Sequence, residues 1–168
     1  MELGLEGRVA LVMGASRGIG RGVAAALARE GARVAISSRS EERLRETVAE
    51  LGEGVRPFVA DTGDLERLAR LPLEVAEAFG SVDILIANTG GPPPGGALDH
   101  GYEEWEDAYR SLVLAPRILA GAAVLVVADL GGVRGVGHQV AGPGVGLQRV
   151  QEELDRALDQ REVLAQPP

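Results

Sequence analysis

The sequence predicts an α/β fold: a doubly wound parallel sheet with helices on both faces, in three α/β/α layers. Three observations carry that expectation. Apolar runs of strand length alternate with longer stretches of helical spacing. The runs are nearly continuous in apolar residues, as strands covered on both faces are. Gly31, Gly52 and Gly80 fall where the intervening helices have to stop. Right-handed crossovers between such strands lead to the doubly wound arrangement.

Taken in order, the first strand is expected at residues 8–13, around Val9-Ala10-Leu11-Val12-Met13. A glycine turn, Gly14-Ala15-Ser16-Arg17-Gly18-Ile19-Gly20, leads into a helix over 17–30. The second strand is expected at 33–37 and the second helix at 40–51, with Ser40 as its N-cap. Arg43 stands where a capping box would place Glu or Gln. A third strand at 55–60 precedes a helix at 64–79 that Asp64 is suited to cap. A fourth strand at 82–87, a helix at 102–119 and a fifth strand at 123–128 complete the pattern. Residues 1–129 therefore form the expected sheet domain. Residues 130–146 hold seven glycines in 17 positions and read as a loop without periodicity. Residues 147–168 read as a C-terminal helix and tail, with Leu147, Val150, Leu154 and Leu158 at helical spacing. The pattern reads as a fold truncated after its fifth strand, by a frame change or by a genuinely divergent ending.

At 168 residues the chain is long enough for one domain with its own core. A formal charge of −8 disfavours nucleic acid and anionic membrane as main partners, while leaving room for a local basic pocket. Cysteine is absent, and His100 and His138 lack metal-site spacing, so no metal site is expected. With no charged leader and no apolar run approaching membrane-spanning length, the expected location is the cytoplasm. All 17 basic residues are arginine; there is no lysine.

The strand–turn–helix at the N-terminus has a physical use. A helix start offers unpaired N–H groups and the positive end of the helix dipole, which together hold a phosphate. Glycines let the backbone approach such a ligand closely. Asp61, at the carboxyl end of the third strand, is placed to accept from an adenine amino group; Thr62 follows it. Asn88, at the end of the fourth strand, can tie neighbouring strand ends together, touch a ribose, or do both. Gly90 permits close approach there. The end of the second strand reads Ser37-Ser38-Arg39, without the acid that would bond the 2′-hydroxyl of NAD. Arg39 and Arg17 suit a 2′-phosphate instead.

With Gly14, Ser16, Arg17, Gly18, Ile19 and Gly20 in the turn, Asp61 after the third strand and Asn88-Thr89-Gly90 after the fourth, residues 5–120 resemble the short-chain dehydrogenase/reductase family. The nearest likeness is to 3-oxoacyl-carrier-protein reductases; Thr89 replaces the family's usual Ala. The resemblance implies a Rossmann-like fold, a dinucleotide partner and the cofactor-binding set Gly14, Ser16, Arg17, Gly18, Ile19, Gly20, Ser38, Arg39, Asp61, Thr62, Asn88 and Gly90. The Ser38-Arg39 pair implies NADP rather than NAD. A homo-oligomer is also compatible with the likeness.

The family's chemistry uses a Tyr as acid/base, a Lys four residues later that lowers its pKa, a Ser and an Asn. A phenol needs a nearby cation to work at neutral pH. This chain has no Lys, and Tyr102 and Tyr109 both precede the family's position. Ser111 is the last serine, and Leu112 stands where the Asn would be. An Asp129–His138 pair is an imaginable but weak substitute. Tyr102, Trp105 and Tyr109 share a helical face and read as packing; Glu103, Glu104, Glu106 and Asp107 read as a solvated face. The expectation is thus an oxidoreductase by resemblance, without catalytic residues and inactive alone. The alternative is a non-enzymatic interaction or scaffold module on the same sheet.

Overall fold

The computed structural model of the protein describes residues 3–96, 98–129, 152, 155 and 156. Four strands, β1 (Val9–Met13), β2 (Arg33–Ser38), β3 (Val55–Val59) and β4 (Ile84–Ile86), form one parallel sheet in the order β3-β2-β1-β4. Their crossovers are α1 (Gly18–Arg29), α2 (Glu41–Leu51) and α3 (Leu65–Phe79). After β4 come α4 (Tyr102–Tyr109), a π-helical turn (Arg110–Leu114) and α5 (Ala115–Asp129), which run on without a break.

The sheet has a core on each face, so the three-layer expectation holds. Val12, Val34, Ile36 and Val55 pack with Ala24 of α1 and Leu44 of α2. Val9, Leu11 and Met13 pack on the other face with Leu68, Leu71 and Val75 of α3 and Leu119 of α5. β1 is buried at all five positions, as a central parallel strand should be. β3 is an edge strand, half open to solvent, which tolerates Pro57 in its ladder. Phe79 is held between Arg33 and Arg56, whose guanidinium carbons lie 4.8 and 5.0 Å from its ring centre.

The expected helix ends are where the residues put them. Ser40 Oγ accepts from the Arg43 N–H, and Asp64 Oδ1 accepts from the Arg67 N–H at 2.9 Å. Gly80 caps α3 in the left-handed region, at φ 92°.

One expected element is of a different type. The strand predicted at 123–128 lies inside α5. Burial along the segment repeats at helical spacing: Ala115, Ile118, Leu119, Ala122 and Val126 are buried, while Val124 is 67 % exposed. Ile118, Ala122 and Val126 pack against Ala69, Leu73 and Ala76 of α3. A short apolar run without polar alternation satisfies strand and buried helix equally, and here the α3 surface decides. Among the described residues, β4 is therefore the second edge of the sheet.

The helical stretch Tyr102–Val127 is also long and apolar enough to cross a membrane by length and composition, which corrects the expectation that no run approaches that length. Core helices pass the same test, and α5 packs on α3. The glycine-rich segment 130–146, His138 and all but three residues of the predicted helix at 147–168 lie outside the described residues.

Candidate functional site

Strands β1, β2 and β3 follow one another in one direction across the sheet, and β4 lies on the opposite side of β1. The order reverses between β1 and β4. At such a switch point the loops leaving the two strands part to opposite faces and open a crevice at the strands' carboxyl ends. A cleft of about 720 Å³ lies there, lined by residues that follow each of the four strands.

Of the twelve residues predicted to bind a cofactor, eleven line this cleft: Gly14, Ser16, Arg17, Gly18, Ile19, Ser38, Arg39, Asp61, Thr62, Asn88 and Gly90. Gly20 does not line it but stands behind it. A Cβ on Gly20 would collide with the Gly14 carbonyl oxygen and lie 2.9 Å from Asn88 Nδ2. Gly14 has φ +60°, and a Cβ there would lie 2.6 Å from Asn88 Nδ2. Glycine is thus required at both positions for the turn to fold down on the end of β4. Asn88 donates from Nδ2 to the Met13 carbonyl at 3.3 Å, the strand-tying role anticipated for it, while also lining the cleft.

The start of α1 is open. Arg17 occupies its N-cap position in extended conformation, no side chain caps the helix, and no acid stands in its first turn. Helices α2 and α3 have Ser40 and Asp64 for this purpose. The first amides of α1 are therefore available to an anion. Asp61 lines the cleft while its Oδ1 accepts from the Gly63 N–H at 2.9 Å, closing a local turn. The cap of the following helix is Asp64, not Asp61.

The cleft is also lined by Glu104, Asp107, Ala108, Arg110 and Ser111. The solvated-face reading of the acidic group thus omits that two of its members face the cleft. Glu104 Oε2 accepts from the Gly101 N–H at 2.7 Å, and Oε1 lies 3.6 Å from His100 Nδ1. The Gly101 N–H holds the Glu104 carboxyl below the usual carboxylate range, against an opposing effect of burial and with lesser help from His100. Arg110 and Ser111 belong to the π-helical turn, a distortion often found at functional sites. Sequence periodicity carries no signal for a π turn, so these two positions were not anticipated.

Tyr102 and Tyr109 do not line the cleft; they are 81 % and 55 % exposed, and Trp105 between them is 52 % exposed. The packing expected of this stripe is not made among the described residues. Ser111 Oγ donates to the Ala108 carbonyl at 3.3 Å. The Asp129 side chain and His138 lie outside the described residues, so their pairing is not part of this site.

A family described as short chain dehydrogenase matches residues 8–125. The chain is 37% identical over 155 residues to 1,6-dihydroxycyclohexa-2,4-diene-1-carboxylate dehydrogenase of Pseudomonas putida, covering 83% of this chain and 56% of that one. It is 46% identical over 90 residues to 7alpha-hydroxysteroid dehydrogenase of Clostridium sardiniense, covering 52% and 34% respectively. Among solved structures, a short-chain type dehydrogenase/reductase from Mycobacterium marinum matches with a TM-score of 0.69 and 30% identity, over 76% of this chain and 54% of that one. The chain spans between a third and just over half of the length of the curated relatives it matches. Its sheet, its glycine turn and these likenesses agree: the chain belongs to the short-chain dehydrogenase/reductase family.

Proposed function

We propose that the cleft binds a nicotinamide dinucleotide, NADP in preference to NAD, and that this chain by itself does not carry out hydride transfer. The observation that carries the first half is the convergence of eleven sequence-selected residues, from four separate segments, on one cleft at the switch point. The residues fit the cofactor. The open amides at the start of α1 suit the pyrophosphate. Gly18 lines the cleft, and its lack of a Cβ lets the turn's backbone approach a ligand closely. Asp61 would accept from the adenine amino group, and Asn88 and Gly90 would face the nicotinamide ribose. Arg17 and Arg39 would share the 2′-phosphate, where NAD presents only a hydroxyl. When bound, the nicotinamide ring supplies or takes up a hydride.

The second half rests on the missing Tyr–Lys pair that would handle the accompanying proton in the family's chemistry. The sequence has no lysine to lower a tyrosine's pKa, and both tyrosines lie away from the cleft. A second reading, an interaction module built on this sheet, is favoured by the exposed stripe of Tyr102, Trp105 and Tyr109. Dinucleotide binding separates the two: the interaction module binds neither NADP nor NAD.

The test of the second half is turnover. The isolated chain, supplied with NADPH and a panel of ketones, is expected to consume no NADPH above background. Sustained turnover would overturn the proposal, and turnover surviving Tyr102→Phe and Tyr109→Phe would point to a different proton donor.

A further inference from the structure

We propose that Arg43, in the first turn of α2, is a third arginine of the 2′-phosphate subsite and a determinant of NADP preference. The inference rests on the reading of the cleft as an NADP site and extends it to a residue outside the glycine turn and the end of β2. Arg43 lines the same cleft as Arg17, Arg39, Ser38 and Ser40. It stands on the third residue of a helix whose N-cap, Ser40, bonds the Arg43 N–H, so the backbone beneath it is fixed. Ser38 Oγ in turn accepts from the Ser40 N–H at 3.3 Å, which ties that N-cap to the end of β2.

The guanidinium groups at this end are uncommitted. Among the described residues, Arg17, Arg39 and Arg43 take part in no ion pair, whereas Arg8, Arg21, Arg45, Arg67 and Arg70 each face a carboxylate. Glu41, the nearest acid to the N-cap in sequence, is engaged by Arg45 at 2.5 Å. Three guanidiniums lining one cleft without an ion pair among the described residues, in a chain of net charge −8, offer positive charge to an anion against an opposing overall field. All three residues are exposed, so a ligand can reach them from solvent. A phosphomonoester carries three acceptor oxygens, and guanidinium forks from three directions can bond each of them. A hydroxyl in the same place can accept from one guanidinium but brings no charge to offset the three cations.

The test uses the full chain, titrated with NADP⁺, NAD⁺, adenosine 2′,5′-bisphosphate and adenosine 5′-monophosphate. Arg43→Ala is expected to weaken NADP⁺ and the bisphosphate by about tenfold, the scale of one partly exposed charge-assisted contact. NAD⁺ and the monophosphate should change by less than about twofold on the same reasoning. Arg43→Lys should recover part of the loss, and Arg45→Ala, on the same helix but paired with Glu41, should leave all four unchanged. If the parent prefers NADP⁺ and Arg43→Ala leaves the NADP⁺ to NAD⁺ ratio unaltered, the role of Arg43 is overturned while the NADP site stands. Equal weakening of both dinucleotides overturns it as well. If the parent shows no preference for NADP⁺, the reading of the cleft falls and this inference with it.

Discussion

Asn88, at the end of β4, donates its side-chain amide to the main-chain carbonyl of Met13, at the end of β1, across 3.3 Å. The bond closes the sheet at the point where strand order reverses, directly beneath the glycine turn. Asn88→Ala removes it and leaves a half-buried carbonyl short of a partner. The expected cost is ~1 kcal/mol, read as a fall in Tm of about 2–4 °C for a chain of this size. Dinucleotide affinity should fall with it, because Asn88 also lines the cleft.

Two glycines in one helix separate packing from propensity. Gly20→Ala drives a methyl into the Gly14 carbonyl oxygen and should destabilise by ~1–3 kcal/mol, as forced overpacking does. Gly22→Ala meets nothing within 4 Å and should stabilise by ~0.5–1 kcal/mol, since Gly in a helix interior is entropically unfavourable. Denaturant unfolding of the two variants should move in opposite directions.

Most of this fold was legible in the residues. Continuous apolar runs located β1 and β2; Ser40 and Asp64 began a helix, and Gly80 ended one, where their side chains or lack of one demanded. The cleft was legible because glycine spacing, Asp61 and Asn88 mark strand ends, and strand ends in a parallel sheet converge on one edge. Two features were not legible. Residues 123–128 are apolar without alternation, and their state depends on α3, which is distant in sequence. The π turn that brings Arg110 and Ser111 to the cleft leaves no periodic trace.

The helical state of 123–128 has its own test. In a strand, residues 124 and 126 share a face; in α5, Val126 is buried against α3 and Val124 is 67 % exposed. Val126→Asp should destabilise by ~3 kcal/mol or more, as an unpaired buried charge does, while Val124→Asp should stay within about 0.5 kcal/mol. Chemical denaturation that finds both variants equally damaged would contradict the helix.

Glu104 gives a pH dependence with a definite sign. Its folded pKa is lowered, chiefly by the Gly101 N–H and further by His100. The native state therefore binds its proton less readily than the unfolded chain, and the stabilisation is complete above the ordinary carboxylate range. It is lost as pH falls through the lowered folded value. Glu104→Gln should remove this contribution, so the stability gap between parent and variant should narrow on acidification, as followed by thermal melts from pH 7 to pH 3.

The central claim is that the cleft recognises a 2′-phosphate through arginine at the end of β2. It is tested most directly by calorimetric titration of NADP⁺ and NAD⁺ into the parent chain and into Arg39→Asp. The account predicts tighter NADP⁺ than NAD⁺ binding by the parent and a reversed order in the variant, whose carboxylate repels the phosphate and accepts from the 2′-hydroxyl. Failure of the parent to bind either dinucleotide, or an NADP⁺ affinity that Arg39→Asp leaves unchanged, would contradict it.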